Sequence, residues 1–148
     1  MGFEKKKRPV GSAYLATPQT IPHYNLTTIV FDTQFYDTDG MFTPPDSKIY
    51  AKRLSGYYLV EGSACFNANA TGYRAALLRL NGSYLTYIDE AAIAPSPQGE
   101  TIVKVGKVYY LNVNDYVELQ VSQYSGGNLD VLGPEDLTWL SIAHLSGR

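Results

Sequence analysis

The 148-residue sequence is short of the groups that most catalytic chemistry needs. Its single cysteine, Cys65, excludes an internal disulfide framework and any cysteine-rich zinc site. The only histidines, His23 and His144, stand far apart, and neither has a second ligand at metal spacing such as His-x-x-x-His. There is no Gly-x-Ser-x-Gly elbow and no phosphate-cradling glycine loop. No apolar run approaches the roughly eighteen residues that span a bilayer, so membrane insertion is not expected. A formal net charge of −2 gives no overall drive towards nucleic acid or anionic lipid. Long helices are excluded as well. Prolines at 9, 18, 22, 44, 45, 95, 97 and 134 interrupt every long stretch, and no helical apolar period survives between them.

What is abundant is tyrosine, 13 residues against 5 Phe and 1 Trp, set in a chain that is 45% hydrophobic. Tyrosine favours strands and half-buried surfaces, and it recurs at interfaces because its ring packs while its hydroxyl stays wet. The length allows one domain with a real core. Residues 1–8 form a short basic arm, and residues 9–148 read as closely spaced strands separated by Pro, Gly, Asn and Asp. Residues 26–31 are β-branched and aromatic. In residues 56–66, alternation puts Tyr58, Val60, Ala64 and Phe66 on one face, with Tyr57, Leu59, Glu61 and Cys65 on the other. In residues 73–80, Ala76, Leu78 and Leu80 share a face from which Arg79 points away. Asn81-Gly82 then supplies a primed turn into a strand over 83–88. Residues 101–111 give one or two strands. Residues 115–123 alternate most cleanly, Val117, Leu119 and Val121 against Tyr116, Glu118, Gln120 and Ser122. Some seven to nine strands with turn signals about every ten residues imply a sandwich or barrel.

The closing strand, 137–145, is apolar on both faces through Trp139, Leu140, Ile142 and Leu145. A strand greasy on both sides of a small sandwich needs another layer, either a neighbouring subunit or a local loop. The remaining polar motifs have modest readings. Cys65 sits in a strand and reads as a small buried hydrophobe before it reads as a nucleophile. Asp37-Thr38-Asp39-Gly40 has oxygens spaced as in a calcium loop but lacks the later acidic ligand, so a turn is the expected role. Glu135-Asp136 reads as a solvated turn. The sequon-like Asn25, Asn69 and Asn81 read as chance matches in a Ser/Thr/Asn-rich β protein, the second and third at turns or strand ends where Asn is expected anyway.

The order of motifs resembles the complement globular-head and tumour-necrosis-factor jelly-roll superfamily, most of all its bacterial and phage branch. The resemblance begins at Val30-Phe31-Asp32 and Phe35-Tyr36-Asp37-Thr38-Asp39-Gly40-Met41, then Ser47-Lys48-Ile49. It continues through Gly56-Tyr57-Tyr58-Leu59-Val60, Gly72-Tyr73-Arg74 and Leu78-Arg79-Leu80-Asn81-Gly82. Leu111 with Asn114-Asp115-Tyr116-Val117-Glu118-Leu119, then Gln123-Tyr124-Ser125-Gly126-Gly127 and Trp139-Leu140-Ser141, complete it over about residues 10–146. One departure is Asn114 where glycine is usual; Asn tolerates positive φ, so the turn is expected to survive.

The resemblance implies an all-β, TNF-like jelly-roll sandwich that assembles as a homotrimer with no enzymatic activity; the residues themselves lead to no expected catalytic residue, metal or cofactor. By strand alternation and family likeness together, the expected trimer residues are Tyr58, Phe66, Tyr110, Trp139 and Leu145. The arm residues Lys5, Lys6, Lys7 and Arg8 read either as a solubilising tail or as an anchor on an acidic partner. The charge before residue 9 has no apolar segment behind it, so no secretion signal is expected. The functional expectation is therefore a non-catalytic structural protein of a phage virion surface, assembled in the host cytoplasm, with capsid decoration foremost. Alternatives are the receptor-binding tip of a tail fibre, meeting a host glycan or protein, and a secreted cytokine-like or lectin-like ligand. No nucleic-acid partner is expected.

Overall fold

The computed structural model describes residues 7–134 and 136–147. Among them the chain forms twelve strands and no helix. In chain order these are β1 (Val10–Tyr14), β2 (Gln19–Ile21), β3 (Thr27–Thr28), β4 (Thr33–Asp37), β5 (Ile49–Tyr50) and β6 (Gly56–Phe66). There follow β7 (Arg74–Leu80), β8 (Tyr87–Ile93), β9 (Thr101–Leu111), β10 (Tyr116–Gln123), β11 (Leu129–Val131) and β12 (Trp139–Ser146).

Two antiparallel sheets face each other. The larger runs β9-β6-β12-β1-β4, with β11 and β2 continuing from the end of β6; the smaller runs β3-β10-β7-β8, with β5 beside β10. From β6 onward the chain crosses repeatedly between sheets, which makes the sandwich a jelly roll. The first and last strands, β1 and β12, pair directly.

Alternation sets which side chains fill the space between the sheets. Val60, Ala64, Leu140 and Ile142 from the larger sheet meet Leu78, Val117, Leu119 and Val121 from the smaller, all fully buried. Each such aliphatic side chain larger than alanine contributes about 1.5–3 kcal/mol by leaving water. Gly62 at the middle of β6 carries no Cβ, and one there would stand 3.0 Å from a Leu119 methyl. Its absence lets the leucines of the facing sheet pack against the β6 backbone.

Two turns follow the sequence reading. Asn81 (φ 52°) and Gly82 (φ 67°) adopt the left-handed conformations of a primed turn, closed by Ser83 N–H to the Leu80 carbonyl at 3.1 Å. Asn114 takes φ 77°, the positive value that glycine usually supplies at this turn.

Other expectations are corrected. The strand over 26–31 shrinks to Thr27–Thr28. The Gln19 side chain accepts from Val30 N–H (2.9 Å) and donates to the Thr28 carbonyl (3.0 Å), taking backbone groups a ladder would use. No strand follows the primed turn at 83; β8 begins at Tyr87, because Arg79 holds the Ser83 and Tyr84 carbonyls and turns that segment outward. Residues 101–111 form one strand, and the strand count exceeds nine because β2, β3, β5 and β11 have only two or three residues each.

Candidate functional site

The outer face of the larger sheet is built by the residues whose parity is opposite to the core. Across β9 and β6, Tyr110 stands opposite Tyr57 and Val108 opposite Leu59. The second row continues through Ala143 of β12 to Val10 of β1. In the next row, Gly106 lies opposite Glu61, followed by Ser141 and Ser12. Lys104, Ser63, Trp139 and Tyr14 form the row after it. The Tyr57 and Tyr110 rings meet edge to face at 5.3 Å. Tyr57, Val108 and Tyr110, in regular strand, and Leu145, at the register shift near the end of β12, remain between 41% and 49% exposed. At the β4 side a groove of about 360 Å³ opens, lined among others by Tyr36, Glu61, Asp136 and Trp139.

Of the expected trimer residues, Tyr110, Trp139 and Leu145 belong to this outer face. Tyr58 and Phe66 do not. Both are fully buried inside the protomer: the Tyr58 hydroxyl donates to the Leu54 carbonyl at 2.6 Å and its ring packs on His144, while Phe66 lies beneath the Arg74 guanidinium. They share parity with Val60 and Ala64, so the alternation that makes those residues core makes these core too. The outward residues of the same strand are Tyr57 and Leu59, as that alternation assigns them.

The polar motifs are occupied by local structure. Asp37 accepts from the Asp39 and Met41 N–H groups through one oxygen and from Phe42 N–H through the other, at 2.9–3.1 Å. Three inward-pointing donors suit a carboxylate-centred turn and oppose a cation at that oxygen pair. Asp39 pairs with Arg53 at 3.2 Å. The Asn69 side chain accepts from Thr71 N–H (2.9 Å) and that of Asn81 bridges Asp115 and Tyr116, which is turn chemistry in both cases. Glu135 lies outside the described residues.

Cys65 is fully buried in β6, and burial pushes its thiol up to about 12, helped by its contact with the Glu100 carboxylate. A thiol so held is not a nucleophile at neutral pH. The His144 Nε2 lies 3.3 Å from the Ser55 carbonyl, and the His23 Nδ1 accepts from Gly126 N–H at 3.1 Å. Among the described residues no group of three or more His, Cys, Asp or Glu side chains is placed to hold a metal ion.

Of the basic arm, Lys5 and Lys6 lie outside the described residues. Arg8 donates to the Leu145 carbonyl of β12, and the Lys7 carbonyl accepts from Arg53. The root of the arm is thus strapped to the sandwich, with the Lys7 and Arg8 side chains exposed.

Two features escaped the sequence reading. One is the loop after β7. Arg79, itself nearly buried, bonds the Ser83 and Tyr84 carbonyls, stacks on the Tyr84 and Tyr87 rings, and holds out Leu85 at 94% exposure. The other is a group of tyrosines where three loops meet at one end of the sandwich.

The sequence matches no protein-family model and no curated protein. The fold does have counterparts among solved structures. Murine APRIL, crystallised at pH 8.0, superposes with a TM-score of 0.72 at 11% identity, over 94% of this chain and 100% of that one. Eiger TNF from S. frugiperda superposes with a TM-score of 0.70 at 10% identity, over 96% of both chains. The architecture is therefore a TNF-like jelly roll. At this identity the likeness concerns the fold, and it singles out no bacterial or phage branch.

Proposed function

We propose that this chain acts by binding and not by catalysis, as a homotrimer whose copies meet through the outer face of the larger sheet. The observation that carries the reading is the half-exposed Tyr57 and Tyr110 of one row, Val108 of the next and Leu145 at the end of β12, on strands whose other face is already core. A rigid, contiguous apolar sheet face is a surface that association removes from water. A threefold contact is heterologous, so the β9 side of one copy would meet the β4 side of the next. Tyr110, Trp139 and Leu145 then contribute to the contact together with Tyr57, Leu59 and Val108. The test is native mass spectrometry or light scattering at micromolar concentration. Three times the 16.3 kDa protomer mass is expected, and a stable single-protomer species would overturn the proposal.

Within that reading we favour a surface protein of a virion, assembled in the host cytoplasm, that decorates a capsid. The support is the basic root of the arm, Lys7 and Arg8, fixed beside β12 with both side chains exposed. Deleting residues 1–8 and measuring sedimentation with empty capsids tests it; undiminished binding would remove the anchor. A second reading, a receptor-binding tip or cytokine-like ligand, is favoured by the outward-held Leu85. In that case Leu85→Asp abolishes binding of the labelled trimer to intact cells while leaving its mass unchanged.

A further inference from the structure

At one end of the sandwich three loops converge: residues 22–26 between β2 and β3, 67–73 between β6 and β7, and 124–128 between β10 and β11. Their backbones are tied to one another. Tyr24 N–H donates to the Gln123 carbonyl at 2.9 Å, and Tyr124 N–H to the Tyr73 carbonyl at 3.1 Å. Two fully buried polar side chains fix the frame. Gln123 donates to the Ile21 and Gly127 carbonyls and accepts from Ser125 N–H. Arg74 donates to the carbonyls of Asn69, Thr71 and Tyr73. Gly72, at φ +75°, lies so close that a Cβ would stand 1.8 Å from the Tyr124 carbonyl oxygen.

On this frame sits a corner of aromatic rings. Tyr73 and Tyr124 stack at 4.1 Å with planes 25° apart, and Tyr24 stands edge-on to Tyr124 at 4.9 Å and 85°. His23 adds its ring 5.7 Å from Tyr124. The neighbouring phenol of Tyr73 acts to raise the pKa of Tyr124. Despite their contacts, Tyr24 and Tyr73 stay 67% and 40% exposed.

Tyr24 is also the odd residue conformationally. Its φ of +66° lies in the left-handed region, which glycine or asparagine enters easily and a bulky aromatic does not. A ring so exposed is not required by the core. A strained backbone holding an exposed ring inside a well-fixed frame is the pattern of a binding position.

We propose that this corner is a subsite for a neutral pyranose sugar, its C–H face laid on the Tyr24 and Tyr73 rings and its hydroxyls met by the phenols and His23. The chemistry selects that class. Aromatic faces with a polar tip match a rigid ring that is apolar on its face and hydroxylated at its rim. The described cations that sit over aromatic rings do so on Tyr50, Phe66, Tyr84, Tyr87 and Tyr116, and none over these tyrosines. The inference rests on the binding role proposed above but does not need the trimer.

The experiment titrates the full chain with methyl glycosides of glucose, galactose and mannose, with choline as the cationic comparison, and follows tyrosine ring NMR signals. At least one glycoside is expected to saturate at about millimolar concentration, with Tyr24→Ala and Tyr73→Ala each weakening it about tenfold. The decisive variant is Tyr24→Gly. It relieves the left-handed strain, so its thermal midpoint should hold or rise while sugar binding falls. Absence of saturation by every glycoside, binding of choline alone, or undiminished affinity in Tyr24→Gly would each overturn the proposal. Mass measured on the same sample reports separately on the trimer.

Discussion

The two sheets of this sandwich turn unlike faces outward. On the smaller sheet the outward rows mix Ala75, Leu77 and Tyr87 with polar groups that are already partnered: Arg79 bonds Gln120 at 2.8 Å, Gln120 bonds Thr28 at 3.0 Å, and Glu118 accepts from Ser47 at 2.6 Å. On the larger sheet two adjoining outward rows hold Tyr57, Leu59, Val108, Tyr110 and Ala143, and the rows beyond them carry Glu61, Ser141, Lys104 and Trp139. One face has its polar groups satisfied within the protomer and loses little by meeting water. The other presents a block of apolar side chains that stays about half exposed in the single protomer. The strands are equally regular in both, so the difference lies in which residues alternation turns outward.

The contrast can be broken by substitution on either side of a single strand. Phe66→Ala removes a fully buried ring and is expected to cost about 3–5 kcal/mol in urea denaturation. Leu59→Asp with Val108→Asp, on the outward side, should leave the far-ultraviolet circular dichroism intact and reduce the native mass to that of one protomer. Gln120→Asp or Ser122→Asp on the smaller sheet should leave the assembly whole; equal dissociation from both faces would refute the contrast.

Smaller effects sharpen it. Arg79→Ala frees the Ser83 and Tyr84 carbonyls and should cost about 1–3 kcal/mol, with faster hydrogen exchange in residues 83–86. Because the Cys65 thiol is pushed up to about 12, mostly by burial, it should resist alkylation at pH 8 in the folded protein and react once the protein is unfolded. Modification at pH 8 without unfolding would contradict that burial. The smallest effect concerns Asp32. Burial acts to raise its pKa, but the Ala16 N–H, the Thr33 hydroxyl and the Thr17 N–H together hold it below the usual carboxylate value. A lowered folded pKa means stability that is present above about pH 4 and lost as pH falls below it. Asp32→Asn should therefore flatten the acid limb of the thermal midpoint, and an unchanged limb would count against it.

Legibility differed from element to element. The long strands β6, β7, β9 and β10 carry two-residue alternation over seven or more positions, and their faces are readable from it. β2, β3, β5 and β11 have only two or three residues, too few for a period to emerge, and exist because a neighbouring strand offers them a ladder. β4 carries exposed Phe35 and Tyr36, so its apolar residues do not mark a core face. Tyr58 and Phe66 illustrate the opposite difficulty. Aromatic residues on a strand suit an interface as well as a core, and only their shared parity with Val60 assigns them inward.

The tyrosine corner was out of reach for a different reason. Tyr24, Tyr73 and Tyr124 come from three loops about fifty residues apart in sequence, and no local pattern links them. Local alternation and turn chemistry, which act over two to four residues, suffice to specify an all-β chain, its long strands and the inward side of each. Which strand pairs with which, how the outward residues of separate strands line up into one face, and which loops bring rings together depend on contacts between distant residues. These were decided only when the two sheets closed on one another and the core chose its occupants.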